Sequence, residues 1–270
     1  MTVSAGPDRR AWVEQIMGMP ISIHVRGTVG TNTATNTATN TAANTAANTA
    51  RNTETETAVA QAFSHLRRVD AVLSPWRADS DLMRVRRGEL SPDEAHPWLA
   101  EVRGLCAEAA ERTGGLFTAD LPDRVDGRRV FDPTGLVKGW AVEGAARHLE
   151  LVDGTSFCIN AGGDILAGTG KYAGEVSPWR VGIEDPAERT RIAATVELTV
   201  GAVATSGNAA RGAHITDPRT GNPVDRPGSA TVTGPSLLWA DIWATAIFVD
   251  PEAAQATMAL RDPAYRSLVL

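Results

Sequence analysis

From Leu237 to Val249 the chain reads LLWADIWATAIFV, an apolar run that carries a single charge, Asp241. A segment this apolar has to be buried, and it falls short of the roughly 20 residues that cross a bilayer. It reads as a central helix or strand of a water-soluble fold. A carboxylate in such surroundings costs several kcal/mol unless it is paired, hydrogen-bonded or bound to a cation. On a helix, Asp241 and Thr245 are four residues apart and lie one above the other. Two hard oxygens would then point at one spot, which suits Mg²⁺. The alternative is structural: Asp241 caps the helix and Thr245 bonds back to a carbonyl one turn earlier. The residues alone leave both open.

Three further segments hold candidate chemistry. Asn160-Ala161-Gly162-Gly163-Asp164 follows the apolar strand SFCIN. Its glycines can turn tightly or let backbone N–H groups approach anionic oxygens. His214 stands among turn and hydroxyl residues, downstream of Ala204-Thr205-Ser206-Gly207. It can serve as a general base or as an ordinary structural histidine. FDPTGLVKGWAVE (131–143) holds Lys138 in a chain where nearly every other basic residue is arginine. Asp132-Pro133-Thr134-Gly135 can cap a helix whose free amides and Lys138 face a phosphate. The bland counterpart is a surface lysine on a capped helix.

Around these segments helices and strands mix without a regular βαβ rhythm, which favours an α+β fold. Strands are expected near 21–25, 156–160, 179–185, twice within 190–207, on both sides of the turn in 213–224, and over 229–236. Apolar spacing predicts a helix from about Ala58 that ends at Ser74-Pro75, one capped by Ser80, one over 97–113 stopped by Gly114-Gly115, one through Leu149, and a last one in PEAAQATMALRD. Residues 31–57, TNTATNTATNTAANTAANTARNTETET, have almost nothing to bury and are expected to form a weakly ordered insertion. The net charge of −6 argues against a nucleic-acid partner. Cys106 and Cys158 lie in apolar contexts and read as buried free thiols. The stretch MTVSAGPDRRAWVEQ shows neither an apolar signal core nor a lipid-acceptor cysteine, which leads to an expected cytoplasmic location.

The order of these motifs resembles the ApbE family of FAD:protein FMN transferases. The matching pieces are MGMPISI (17–23), SPWRADSDL (74–82), GGLF (114–117), FDPTGLVKGWAVE (131–143), NAGGD (160–164), ATSG (204–207), HITDPRTGNPV (214–224) and ADIWATAI (240–247). The resemblance implies one compact domain over 1–270, interrupted at 31–57, with a mixed, largely antiparallel sheet and flanking helices. It implies Mg²⁺ and FAD as ligands, and transfer of the FMN half to a threonine of an acceptor protein with release of AMP. The acceptor would present a Ser/Thr-x-Ala-Thr-like segment. By position, Asp241 and Thr245 match the family's side-chain metal ligands. Val137 and Ala244 match backbone-carbonyl ligands. Met17, Trp76, Leu116, Phe117, Thr118, Thr134, Trp140 and Ile215 match FAD contacts, and His214, with Asp241, the catalytic set.

Departures are specific. Trp76 and Trp140 stand where tyrosine is usual, Glu143 replaces an aspartate, Thr118 replaces the aspartate of the family's G-x-F-D-P pattern, and Met19 replaces a small residue. Two other activities fit the same residues: a metal-dependent FAD pyrophosphatase that uses water as acceptor, and a flavin-binding protein without turnover.

Overall fold

The computed structural model describes residues 9–27, 38–122, 127–209, 212 and 214–270. The described chain opens with a hairpin of β1 (Arg9–Ile16) and β2 (Met19–Gly27). Its two-residue turn puts Met17 and Gly18 at φ 57° and 72°. A tight hairpin demands that paired left-handed geometry. Met17 has to adopt it without glycine's freedom, so backbone strain is held there.

Three helices follow, α1 (Ala38–Leu73), α2 (Asp81–Arg86) and α3 (Pro97–Arg112). A short ribbon, β3 (Asp120–Pro122) and β4 (Arg129–Phe131), leads into α4 (Thr134–Leu149). Then come β5 (Thr155–Ala161) and β6 (Asp164–Thr169), the ribbon of β7 (Trp179–Glu184) and β8 (Ile192–Leu198), and β9 (Gly201–Gly207) and β10 (Ser229–Gly234). The described chain ends with α5 (Leu237–Val249), α6 (Pro251–Arg261) and β11 (Arg266–Val269).

Seven strands make one sheet in the order β1-β2-β5-β6-β9-β10-β11, every neighbour antiparallel. The α+β architecture with a largely antiparallel sheet is therefore present. Strand alternation sorts side chains between two layers. Ile21, Ile23, Val25, Phe157, Ile159 and Ala204 join the core that packs α1, α4 and α5 on one face. Cys158, Ile165, Ala167 and Val203 pack on the other against Trp179, Ile183 and Leu198 of the β7–β8 ribbon. β5 and β6 are thus covered on both sides, which is why their sequences carry no polar alternation.

Four expectations change. The tract 31–57 does not stay weakly ordered: its described part, 38–57, is helix and runs straight into the apolar half of α1. Alanine is the best helix former, propagation from an existing helix is cheap, and Thr53, Thr55 and Thr57 donate their hydroxyls to carbonyls four residues back. An Arg10–Glu56 ion pair ties this stretch to β1. Residues 31–37 lie outside the described residues. The strands expected around Asp217-Pro218 shrink to one bridge, Thr216 to Pro223, because Asp217 bonds the Arg219 guanidinium and Pro223 has no N–H to give. The segment left open between helix and strand is α5. Strands β1, β3, β4, β6 and β11 were not foreseen. No helix among the described residues is long and apolar enough to cross a membrane.

Candidate active site

The site is built where α4, α5 and the β5–β6 turn converge. At the start of α4, Asp132 Oδ1 accepts the Thr134 N–H at 3.0 Å and its hydroxyl at 2.7 Å. This is the local turn that Asp-Pro-Thr chemistry favours. Gly135 leaves room for the Phe117 ring, which lies 3.1 Å from where a Cβ would sit. Gly139 does the same for α5, since a Cβ there would fall 2.8 Å from Leu238 Cα. The two helices can touch only because position 139 has no side chain.

The first turn of α5 is capped from two directions. Ser236 Oγ accepts the Trp239 N–H at 3.3 Å, and Glu143 Oε1 on α4 accepts from Ser236 Oγ at 2.7 Å and from Leu238 N–H at 3.1 Å. Capping is therefore complete without Asp241, which sits one turn further in. Thr245 shares a hydrogen bond with Ser206 Oγ of β9 at 3.2 Å. Asp241 is therefore not the cap of α5, and Thr245 reaches β9 through its hydroxyl.

Lys138 resolves the question of its isolated charge. Its ammonium forms an ion pair with Asp164 Oδ2 and lies 3.5 Å from Asp241 Oδ2. The Lys138 side chain is 17% exposed, that of Asp164 3% and that of Asp241 6%. Asp164 Oδ1 also accepts the Thr205 N–H at 3.0 Å. Two buried carboxylates thus share one ammonium, next to the hydroxyls of Thr245 and Ser206. Among the described residues no three His, Cys, Asp or Glu side chains gather closely enough to hold a metal. A cation at this spot would need hydroxyl and carbonyl oxygens to complete its shell.

NAGGD turns out to be a hairpin turn. Gly162 and Gly163 take φ of 62° and 104°, Gly163 N–H bonds Asn160 Oδ1 at 2.9 Å, and Gly162 N–H bonds the Pro20 carbonyl at 3.4 Å. Both amides bond inside the protein, which favours the tight-turn alternative for this segment. What the turn delivers is Asp164, on the helix-facing side of the sheet.

The remaining predicted positions lie on several other elements. Val137 and Ala244 are buried neighbours of Lys138 and Thr245. Leu116 and Phe117 are buried, and Thr118 accepts the Asp120 N–H at 3.1 Å. Thr134 is exposed at the helix start. Trp76 is 72% exposed, presented by a turn that Ser74 and Ser80 hold together. Ile215 is buried, whereas His214 is exposed and its Nδ1 lies 2.8 Å from the Gly212 carbonyl. Trp140 stands apart from the Lys138 cluster. It lies two residues from Lys138, hence on the other side of α4, where it donates to Glu101 at 3.1 Å and packs edge-on against Trp98 at 5.5 Å. It belongs to the packing of α3 on α4.

Sequence reasoning did not foresee Ser206 or the Lys138–Asp164–Asp241 grouping. The serine's only signal was its place in ATSG. Burial pushes the Cys106 thiol up to about 12 and the Cys158 thiol up to about 11, which removes both as nucleophiles. Clefts of about 370 and 610 Å³ lie elsewhere, beside Arg147 and Ser236 and beside Thr57 and Leu151.

Comparison with known proteins converges on one family. The model of the ApbE family matches residues 17–126 and 124–267. An FAD:protein FMN transferase of Klebsiella pneumoniae (strain 342) is 31% identical over 147 residues, which is 50% of this chain and 40% of that protein. One from Haemophilus influenzae (strain ATCC 51907 / DSM 11121 / KW20 / Rd) is 34% identical over 130 residues, 44% of this chain and 37% of that protein. The chain therefore spans well under half the length of these relatives in the matches. Among solved structures, the ApbE protein of Thermotoga maritima superposes with a TM-score of 0.70 at 18% identity, over 97% of this chain and 94% of that one. The flavin transferase ApbE of Vibrio cholerae gives 0.65 at 18% identity over 98% and 97%. The flavinyl transferase ApbE of Pseudomonas stutzeri gives 0.69 at 20% identity over 100% and 94%.

Proposed function

The chain belongs to the ApbE family, and on that premise we propose that it transfers the FMN half of FAD to a threonine hydroxyl of an acceptor flavoprotein, in a Ser/Thr-x-Ala-Thr-like segment, and releases AMP. The observation that carries this reading is the gathering of Lys138, Asp164, Ser206, Asp241 and Thr245, drawn from four separate motifs, into one cluster with more carboxylate than ammonium.

The donor set at that cluster fits Mg²⁺: all oxygen and hard. Asp241 and Thr245, with the carbonyls of Val137 and Ala244, are the residues that would hold it. When bound it supplies charge neutralisation at a pyrophosphate. The protein's own groups do the rest. Lys138 keeps Asp164 and Asp241 close. Glu143 and Gly139 fix α5 against α4. Met17, Leu116, Phe117, Thr118, Thr134, Ile215 and the exposed Trp76 offer contacts for FAD. His214, at the surface where a protein segment can reach, would take the threonine proton as the hydroxyl oxygen attacks the FMN phosphorus. The bond between the two phosphates breaks, and AMP leaves with the bridging oxygen.

The test incubates the protein with FAD, Mg²⁺ and a threonine-bearing acceptor peptide, with mass spectrometry on the peptide and chromatography on the nucleotides. The expected result is a peptide heavier by FMN and free AMP, with the rate reduced about 100-fold or more in Asp241→Ala and His214→Ala. Free FMN and AMP with an unlabelled peptide would replace this reading with an FAD pyrophosphatase. Bound FAD without products would replace it with a flavin-binding protein.

A further inference from the structure

The opposite face of the sheet carries a second charge anomaly, independent of flavin transfer. Arg9 and Arg26 are direct cross-strand partners in the β1–β2 hairpin. Like charges placed opposite each other destabilise a strand pair, and proteins normally offset them with a carboxylate. This chain does so elsewhere: Arg10 meets Glu56, Arg67 meets Glu14 and Arg180 meets Glu197. Among the described residues neither Arg9 nor Arg26 has a carboxylate within ion-pair distance.

Both guanidiniums instead converge on one aromatic ring. Arg26 Cζ lies 3.9 Å and Arg9 Cζ 5.6 Å from the centre of the buried Trp179. Trp179 is itself fixed by Nε1–H donation to Ser156 Oγ at 2.9 Å. His24 completes the group. Its Nδ1 is 3.1 Å from Arg9 Nη2, its Nε2 is 3.1 Å from Ser22 Oγ, and its ring is 6.5 Å from Trp179. Arg26 spends one donor on the Ser177 carbonyl. Each guanidinium carries several N–H donors in a planar fork, so most remain available. Arg26 is half-buried and Arg9 is exposed, which leaves the pair open to solvent on one side. Burial, and next the neighbouring Arg9, hold the Arg26 guanidinium below its ordinary value. Both are the signature of positive charge held without a counter-charge.

We propose that Arg9 and Arg26, held by His24 and backed by Trp179, form a binding site for a phosphate or carboxylate oxyanion on the sheet face opposite the Lys138 cluster. The anion would accept from both guanidiniums at once and cancel their repulsion, and Trp179 would hold the forks in place from behind.

The full chain is titrated with sodium phosphate and, separately, with sodium acetate. Ionic strength is held constant with sodium chloride, and thermal unfolding and calorimetry are the readouts. Expected is saturable binding with a rise in Tm in the wild type, weakened about tenfold in Arg26→Gln and in Arg9→Gln. Arg180→Gln and Asp241→Asn should bind as the wild type does, which separates this site from the flavin site. The stronger of the two anions identifies the ligand class. Arg9→Gln also covers the case in which Arg26→Gln fails to fold. In sodium chloride alone it should be no less stable than the wild type, since it removes the repulsion. Equal anion effects in wild type, Arg9→Gln and Arg26→Gln, or no effect of either anion beyond chloride, would overturn the proposal.

Discussion

The two faces of the central sheet hold charge clusters of opposite sign. On the helix side, Asp164 and Asp241 share the single ammonium of Lys138, and all three side chains are largely shielded from water. On the ribbon side, Arg9 and Arg26 face each other across a strand pair with no carboxylate beside them among the described residues. Elsewhere arginines meet carboxylates, singly as in Arg87–Glu89 or two at a time as in Arg219 with Asp217 and Asp250. Exposed pairs contribute little to stability. An imbalance costs more the deeper it is buried, and each one calls for a ligand of the opposite sign. The helix side calls for a cation and the ribbon side for an anion.

If burial sets the cost, the helix side must be the more sensitive. Lys138→Met removes the one ammonium and leaves two buried carboxylates facing each other. Stability should drop by about 3 kcal/mol in urea unfolding without divalent metal. Added Mg²⁺ should recover most of the loss, and should stabilise the variant more than the wild type, where Lys138 competes for the same oxygens. Asp241→Asn removes one of the two carboxylates that face Lys138, so it should lose far less stability. A Lys138→Met protein as stable as the wild type, with no added response to Mg²⁺, would break the contrast between the two faces.

How much of this was readable in the sequence follows from distance along the chain. Asp241 and Thr245 share a helix, so their common direction follows from the helical repeat. The Lys138–Asp164 ion pair joins α4 to the β5–β6 turn, and nothing local announces it. Ser206 reaches Thr245 from another element for the same reason. β1 was missed because its alternate half-buried positions include Arg10 and Glu14, whose stems cover the core while their charges pair with α1. β6, DILAGT, is buried on both faces and has no alternation to detect. The early start of α1 was hidden by composition, because a polar Asn-Thr-Ala tract has no apolar stripe, yet alanine and a preformed helix suffice to extend it. Trp140 shows the same limit: its motif gives its place in sequence, whereas its contacts with Glu101 and Trp98 join α4 to α3.

Gly139 is the hinge on which the helix-side cluster depends, and Gly139→Ala gives the next largest effect. Alanine would normally stabilise a helix interior by about 1 kcal/mol over glycine. Here its Cβ would meet Leu238 Cα at 2.8 Å and Leu238 N at 2.9 Å, backbone atoms that cannot rotate aside. Overpacking of this kind costs about 1–3 kcal/mol, so the net change should be a loss of about 1 kcal/mol. α5 would be displaced from α4, which lengthens the Lys138–Asp241 contact. The Mg²⁺-induced rise in Tm should shrink with it. Unchanged stability together with an unchanged Mg²⁺ response would show that the two helices have slack at this point.

The smallest effect belongs to the ribbon side and concerns pH. Burial, and secondarily Arg9, hold the His24 imidazole below its ordinary value. Around it stand Arg9 on β1, Ser22 and Arg26 on β2, Cys158 on β5 and Trp179 on β7, with no carboxylate among them. In the unfolded chain the imidazole takes up a proton near pH 6.5, whereas in the folded protein it does so only at lower pH. Between those two values the unfolded state binds more protons, so stability falls as the pH drops below about 6.5. His65 adds to the same trend, since burial, then His148, Arg147 and Arg68, lower it as well. A profile of Tm against pH should therefore flatten in part, not wholly, in His24→Gln. If an oxyanion occupies the arginine pair, phosphate should flatten the wild-type profile too, because a bound negative charge favours protonated His24 in the folded state. A phosphate effect that survives in Arg9→Gln would assign the pH dependence to His65 and leave His24 without a part in it.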